Sequence, residues 1–233
     1  QPLIRQTDFA GTNYFFYDLN AKVNYQFSQN DRVYLSGYFG RDVLNFEQPG
    51  RDFLFRLPYG NGTATLRWNH LFNEKLFFNL SAIYNNYNFS AGFEQDEFAF
   101  DVFSGVRDYG AKFDFEYYPA NAHQIKTGLH ATNHKLTPNI ITGNSGDVEF
   151  ESTAKAKYGN EYALYVQDDW KISPALRVNL GLRGTLFQQV GPYVSGIDGK
   201  VYSTGEVVKT YSSIEPRLFI NTSLNPDAAI KAG

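Results

Sequence analysis

Four histidines, an aspartate doublet and one acid-rich loop are the groups of this chain whose types and spacing could do chemistry. His130 and His134 have the separation of a metal-binding pair on a helix, but they fall on or just beyond a segment with β periodicity. Four residues of strand span about 13 Å, too far for two nitrogens that must each sit about 2 Å from one zinc. Both therefore read as lumen or loop histidines. Asp168 and Asp169 are neighbours in an alternating segment, so their carboxylates point to opposite faces and cannot share a reaction centre. The loop FEQDEFAFD (93–101) sets Glu94, Asp96, Glu97 and Asp101 among phenylalanines, lacks the spacing of a calcium loop, and reads as a solvated acidic loop. Gly60-Asn61-Gly62 and Gly143-Asn144-Ser145-Gly146 precede no helical pattern, which argues against a phosphate cradle. Neither Gly-x-Ser-x-Gly nor His-Glu-x-x-His occurs, and the absence of cysteine excludes disulfides, thiolate metal sites and thiol catalysis. The expectation is a protein that is not an enzyme and carries no metal or cofactor.

If these residues are not catalytic, the elements that hold them decide what they do. The 233 residues carry 21 basic and 24 acidic side chains, a net charge of −3 that points away from nucleic acid. Aromatic residues make up 17% against 19% charged, and mean hydropathy is −0.40, so polarity comes from Asn, Gln, Ser, Thr, Gly and Tyr. That mixture suits β-structure rather than a helical bundle. No apolar run approaches the roughly 20 residues of a membrane helix. The opening QPLIRQTDFAGT has neither the charged start nor the apolar block of a signal peptide, as in a mature chain or an internal piece.

Periodicity is the clearest signal. Tyr17, Leu19, Ala21, Val23, Tyr25 and Phe27 alternate with Asp18, Asn20, Lys22, Asn24, Gln26 and Ser28, a strict period of two. Tyr109–Tyr117 and Leu176–Arg183 repeat it, and weaker copies run at 31–41, 62–72, 75–87, 123–133, 161–172 and 215–224. This pattern predicts nine strands, with a tenth beginning near Ala229. Short turn-like stretches at 29–31, 73–75, 119–121, 173–174 and 225–227 alternate with long, irregular connections at 42–60, 88–106, 135–159 and 188–213. A transmembrane barrel has this rhythm, with short periplasmic turns, long extracellular loops and spans of about 9–11 residues.

Aromatic positions support the same reading. Tyr25, Phe27, Trp68, Phe72, Phe77, Phe78, Tyr117, Tyr118 and Trp170 all lie close to the short turns, as a periplasmic girdle would require. A Lys or Arg at mid-bilayer costs about 2–4 kcal/mol, so the charged face must look into a wet lumen. Leu180→Arg should then impair insertion far more than a change at Asn179. Lys22, Arg67, Lys112, Asp114, Glu116, Lys126, Arg177 and Arg183 would line that lumen. His70 has the lipid-facing parity, where an interfacial position accounts for it. Asp168 also has it, through Leu164, Val166 and Trp170; either a bulge turns it inward or it sits at the interface.

These segments also resemble a family. EYALYVQDDWKISPALRVNLGLR (161–183) looks like the barrel hairpin of TonB-dependent outer-membrane receptors, carried here by Tyr165, Gln167, Asp168, Trp170, Gly181 and Arg183. Glu215-Pro216-Arg217-Leu218 is similar to a strand start of the same family, and NYFFYDLNAKVNYQFSQNDRVYLSGYFGRD (13–42) looks like its Bacteroidetes-type members. The resemblance implies a 22-stranded barrel around a plug domain, importing a siderophore, glycan, cobalamin or peptide across the outer membrane of a Gram-negative bacterium with energy from the TonB complex. Under it, residues 1–233 form part of one barrel domain without the plug. Its partners would be outer-membrane lipid, TonB through other parts of the parent, and, in some cases, a surface lipoprotein lid. Arg67, Lys112, Glu116, Lys126, Arg177 and Arg183 become the candidates for plug contact. The rival readings are a small passive pore, which predicts closure within these 233 residues, and a soluble carbohydrate-binding β-sheet.

Overall fold

The computed structural model describes residues 11–48, 52–225 and 228–233. Its elements are β1 (Thr12–Gln26), β2 (Asp31–Glu47), β3 (Phe53–Asn73), β4 (Leu76–Gln95), β5 (Phe98–Tyr117), β6 (His123–Ser145), β7 (Val148–Glu151), β8 (Lys157–Lys171), β9 (Leu176–Val190), β10 (Tyr193–Val194), β11 (Val201–Tyr202), β12 (Val207–Asn225) and β13 (Ala228–Ala232). One antiparallel sheet runs β1-β2-β3-β4-β5-β6-β8-β9-β12-β13, with β7 added beside β6, and β10 and β11 form a small separate ribbon. Every long strand pairs with its neighbour in sequence, the up-and-down order expected of a barrel wall.

The segments with the strictest alternation lie inside strands except for Phe27 and Ser28, just beyond β1, because a pleated chain sends successive side chains to opposite faces. Turns at one end are closed by local acceptors. The Asn73 side chain accepts from the Lys75 amide at 2.9 Å, Ser173 Oγ accepts from the Leu176 amide at 3.1 Å, and Ser28 Oγ donates to Asp31 at 2.6 Å. The expected turn at 225–227 falls partly outside the described residues.

At the other end the structure corrects the sequence reading. Within the irregular connections expected at 42–60 and 88–106, residues 42–47, 53–60, 88–95 and 98–106 are strand, and 135–145 and 207–213 are strand as well. β3 through β6 are 20–23 residues long, about twice a membrane span, so their hairpins stand well above the hydrocarbon layer. Outside lipid nothing enforces apolar-out alternation, which is why the pattern lapses there although the ladder continues. Adjacent hairpin tips are tied together: the Asp96 amide donates to Asp52 O at 3.2 Å and the Gly146 amide to Glu97 O at 3.1 Å. Asp96 (φ 52°) and Gly146 (φ 57°) take the left-handed conformation that such tight tips need.

A soluble sheet of this size would bury one face. Among the described residues the buried apolar side chains are Ala163 and Val190, and no large side chain is fully enclosed. The apolar surface faces outward: Leu19, Val23, Leu66, Leu164, Leu182 and Ile214 are each at least half exposed. Such a belt is stable only against hydrocarbon.

Candidate functional site

Cross-strand register assigns every side chain to one of two faces, since directly paired residues project the same way. Following Lys112 through Ser81 and Arg67 to Tyr34, and through His130 and Ala163 to Thr185, defines the inner face. Arg67, Lys112, Glu116, Lys126, Arg177 and Arg183 all lie on it. Lys126 meets Glu116 at 3.1 Å, and the same carboxylate accepts from the Tyr118 hydroxyl at 3.1 Å and Gln124 Nε2 at 3.2 Å. Burial beneath this network, together with the Glu116 carboxylate, pushes the Tyr118 phenol up in the turn after β5. Arg177 is held by both oxygens of Asp169. Arg183 lies 3.7 Å from Glu161, and Arg67 donates to Ser81 Oγ at 3.2 Å.

His130 and His134 also face inward, each with a carboxylate of its own: Asp114 at 3.2 Å and Asp108 at 2.8 Å. Asp114 additionally accepts from the Tyr165 hydroxyl at 2.9 Å. No group of three potential ligands able to hold a metal occurs among the described residues. A recess of about 210 Å³ opens between Lys126, His130, Tyr165, Gln167, Arg183 and Arg217. Half-exposed ion pairs of this kind contribute about 0–1 kcal/mol each, so they can exchange partners with an acidic or basic group arriving in the lumen at little cost. That exchange is what this arrangement of charges can do.

The outer face behaves differently. Between Arg41 and Asp31 on β2 the outward positions are Phe39, Gly37, Leu35 and Val33. Between Arg107 and the end of β5 they are Tyr109, Ala111, Phe113, Phe115 and Tyr117. Each charge-free stretch covers about ten residues, which at a tilt of about 40° amounts to roughly 25 Å of membrane. Tyr84, Tyr109 and Tyr162 mark its upper edge, with the first two rings 5.3 Å apart. At the lower edge Trp68 packs edge-on against Phe78 at 5.9 Å, and Trp170 stacks on His123 at 5.3 Å. Phe77 departs from the expected girdle. It points inward and packs on Tyr118 at 5.6 Å, and Tyr118 itself joins the inner network at Glu116 and Gln124.

Asp168 keeps its outward parity without a bulge, opposite Ile125 and Leu180. Its Oδ2 sits 2.6 Å from His123 Nδ1, while Oδ1 is shielded from solvent and has no hydrogen-bond partner. The same arrangement recurs two hairpins away, where Asp31 meets His70 Nδ1 at 2.7 Å and accepts from Trp68 Nε1 at 3.0 Å. Both carboxylates lie at the short-turn boundary, where a polar partner and headgroup water keep the cost of an outward charge low. The Asp–His pairing was not legible in the sequence, because the partners are 39 and 45 residues apart.

Residues 127–225 match the family model described as an outer membrane beta barrel domain. No curated protein sequence matches the chain. Among solved structures it is similar to BauA, the ferric preacinetobactin receptor of Acinetobacter baumannii, at a TM-score of 0.62 and 11% identity over 92% of this chain and 38% of that one. The ferric citrate transporter FecA in its unliganded form gives 0.62 and 14% over 93% and 35%, and the copper transporter OprC gives 0.62 and 12% over 94% and 36%. The chain thus has the fold of an outer-membrane β-barrel wall and spans 35–38% of the length of these three proteins. With its lipid-facing belt, it is a protein of the Gram-negative outer membrane.

Proposed function

We propose that this chain is part of the barrel of an active outer-membrane importer of the TonB-dependent kind, of the Bacteroidetes type, and not an enzyme. The observation that carries the reading is the ten-strand antiparallel path, which matches over 92–94% of this chain the barrels of outer-membrane transport proteins more than twice as long. In this reading the wall is a closed barrel of about 22 strands, the form in which no backbone edge is left unsatisfied in hydrocarbon at several kcal/mol per group. The exchangeable inner charges then hold an inner plug domain: Arg67, Lys112, Glu116, Lys126, Arg177 and Arg183 are the groups that face it. Ligand is captured at the extracellular end, and release follows when the TonB complex pulls on the plug. A surface lipoprotein is compatible with the same mouth. The cargo is a siderophore, glycan, cobalamin or peptide.

The test begins with the intact mass of the protein in purified outer membranes, with peptide mapping to locate residues 1–233. A species above roughly 70 kDa is expected for about 22 strands and a plug. A mature species of 26.5 kDa would overturn the reading in favour of a small pore. Uptake that ceases when TonB is deleted is the functional counterpart.

A further inference from the structure

Polarity on the two faces reverses above the membrane. One register row crosses β2 to β7 as Phe46, Phe55, Phe93, Phe100, Gly143 and Phe150, all on the inner face. A Cβ at Gly143 would collide with the Phe150 ring, so that ring lies over the glycine and closes the gap beside Phe100. Phe53 and Phe98 extend the patch upward, with Phe53–Phe93 edge-to-face at 5.2 Å, Phe46–Phe53 at 5.8 Å and Phe93–Phe98 at 6.0 Å. On the outward side of the same level stand Arg56, paired with Glu94, and Asp101. Solvent bathes that outward face, so the phenylalanines are not there to meet lipid. They line the inside of the mouth, where Phe98 and Phe150 are still 40% and 41% exposed.

The rim above this wall is acidic. Asp52, Asp96, Glu97 and Asp147 occupy the hairpin tips, which are fixed to one another through backbone hydrogen bonds. At the β2–β7 hairpin tips Arg56 is already engaged by Glu94 and the sequence adds Arg51, while Lys155 follows β7 and Lys200 and Lys209 lie toward the β9–β12 connection, so the tips themselves carry more acid than base. An occupant must therefore offer apolar or aromatic groups to the wall and positive charge to the rim.

We propose that this aromatic wall under an acidic rim docks a cationic, amphipathic peptide segment at the extracellular mouth. This deepens the importer reading by naming the cargo class, and rests on it only for which end faces outward. The rings supply desolvated area in a rigid array, and the tips supply attraction that salt screens.

The test uses the protein purified from outer membranes in detergent, with a fluorescent octapeptide alternating lysine and phenylalanine as probe and its glutamate-for-lysine counterpart as control. Saturable binding of the lysine peptide alone is expected, weakening as salt rises. Phe93→Ser with Phe100→Ser should weaken it on the order of 10–100-fold, as loss of paired aromatic anchors does. Asp96→Asn with Glu97→Gln and Asp147→Asn should weaken it several-fold and flatten the salt dependence; asparagine tolerates the left-handed backbone at position 96. Heat-modifiable gel mobility reports folding, and Phe98→Ser, at an exposed position, replaces the pair if it fails to insert. Equal binding of both peptides, or binding indifferent to the ring and rim changes, overturns the proposal. Because this equilibrium is measured without TonB, its failure leaves the importer reading standing, and loss of TonB-dependent uptake would leave the docking result standing.

Discussion

Replacing Leu164 with arginine tests the face assignment within the lipid-facing belt. Leu164 is 62% exposed on the outer face, between Leu129 on β6 and Gly184 on β9. It lies six residues from Trp170, which marks the lower interface. Six residues are about 20 Å along the strand, or roughly 15 Å along the membrane normal at a tilt of about 40°, which places Leu164 inside the belt, two residues short of Tyr162 at its upper edge. Arginine costs about 2–4 kcal/mol at the midplane and about 0–1 near the interfaces, so at this depth a loss of about 1–3 kcal/mol, roughly 5- to 140-fold in the folding equilibrium, is expected. Leu180 is the poorer choice, because it sits directly opposite Asp168 and an arginine there would gain a carboxylate partner. The matched control is Asn179→Arg on the inner face, opposite Asp169, where the new charge stays in water. Heat-modifiable mobility and urea unfolding in phospholipid vesicles read both variants. A large loss for Leu164→Arg with a small change for Asn179→Arg is expected. Equal tolerance of the two would refute the assignment of faces and, with it, the reading of the belt.

Two further outcomes follow from the outer boundary. A double-mutant cycle of His123→Asn and Asp168→Asn should give a coupling of about 1 kcal/mol in vesicle-embedded protein, the size of a half-exposed charged hydrogen bond, and a coupling near zero would dissolve the pair. Trp68 and Trp170 should both be quenched strongly by lipids brominated near the headgroup and weakly by lipids brominated at the chain end; the reverse order would move the lower edge of the belt.

Much of the wall was legible in the residues themselves. Strict alternation at 17–28, 109–117 and 176–183 fixes strand and face together, because the pleat has a period of two and only one face can meet lipid. The turn signals at 73–75 and 173–174 fell where the chain reverses, because Asn and Ser side chains close those turns locally. That Arg67, Lys112, Glu116, Lys126, Arg177 and Arg183 each lie on the face opposite the apolar one could be read from parity within their own strands, and the register joins them on a common face.

Register across strands was beyond a linear reading. Local pattern shows that Asp168 points outward but not that His123, 45 residues earlier, stands beside it, since pairing is set by the ladder. It also marks 42–60 and 88–106 as irregular, although the strands run on there, because the rule that makes spans recognisable ends where hydrocarbon ends. The row at the mouth takes one residue from each of six strands, five phenylalanines and Gly143, so no segment of the chain contains it. The sequence by itself determined the element type, the two faces and the need for lipid, all of which depend on neighbours one or two residues apart. Only the tertiary structure decided which charges pair and which rings meet, because those contacts join residues the chain keeps far apart.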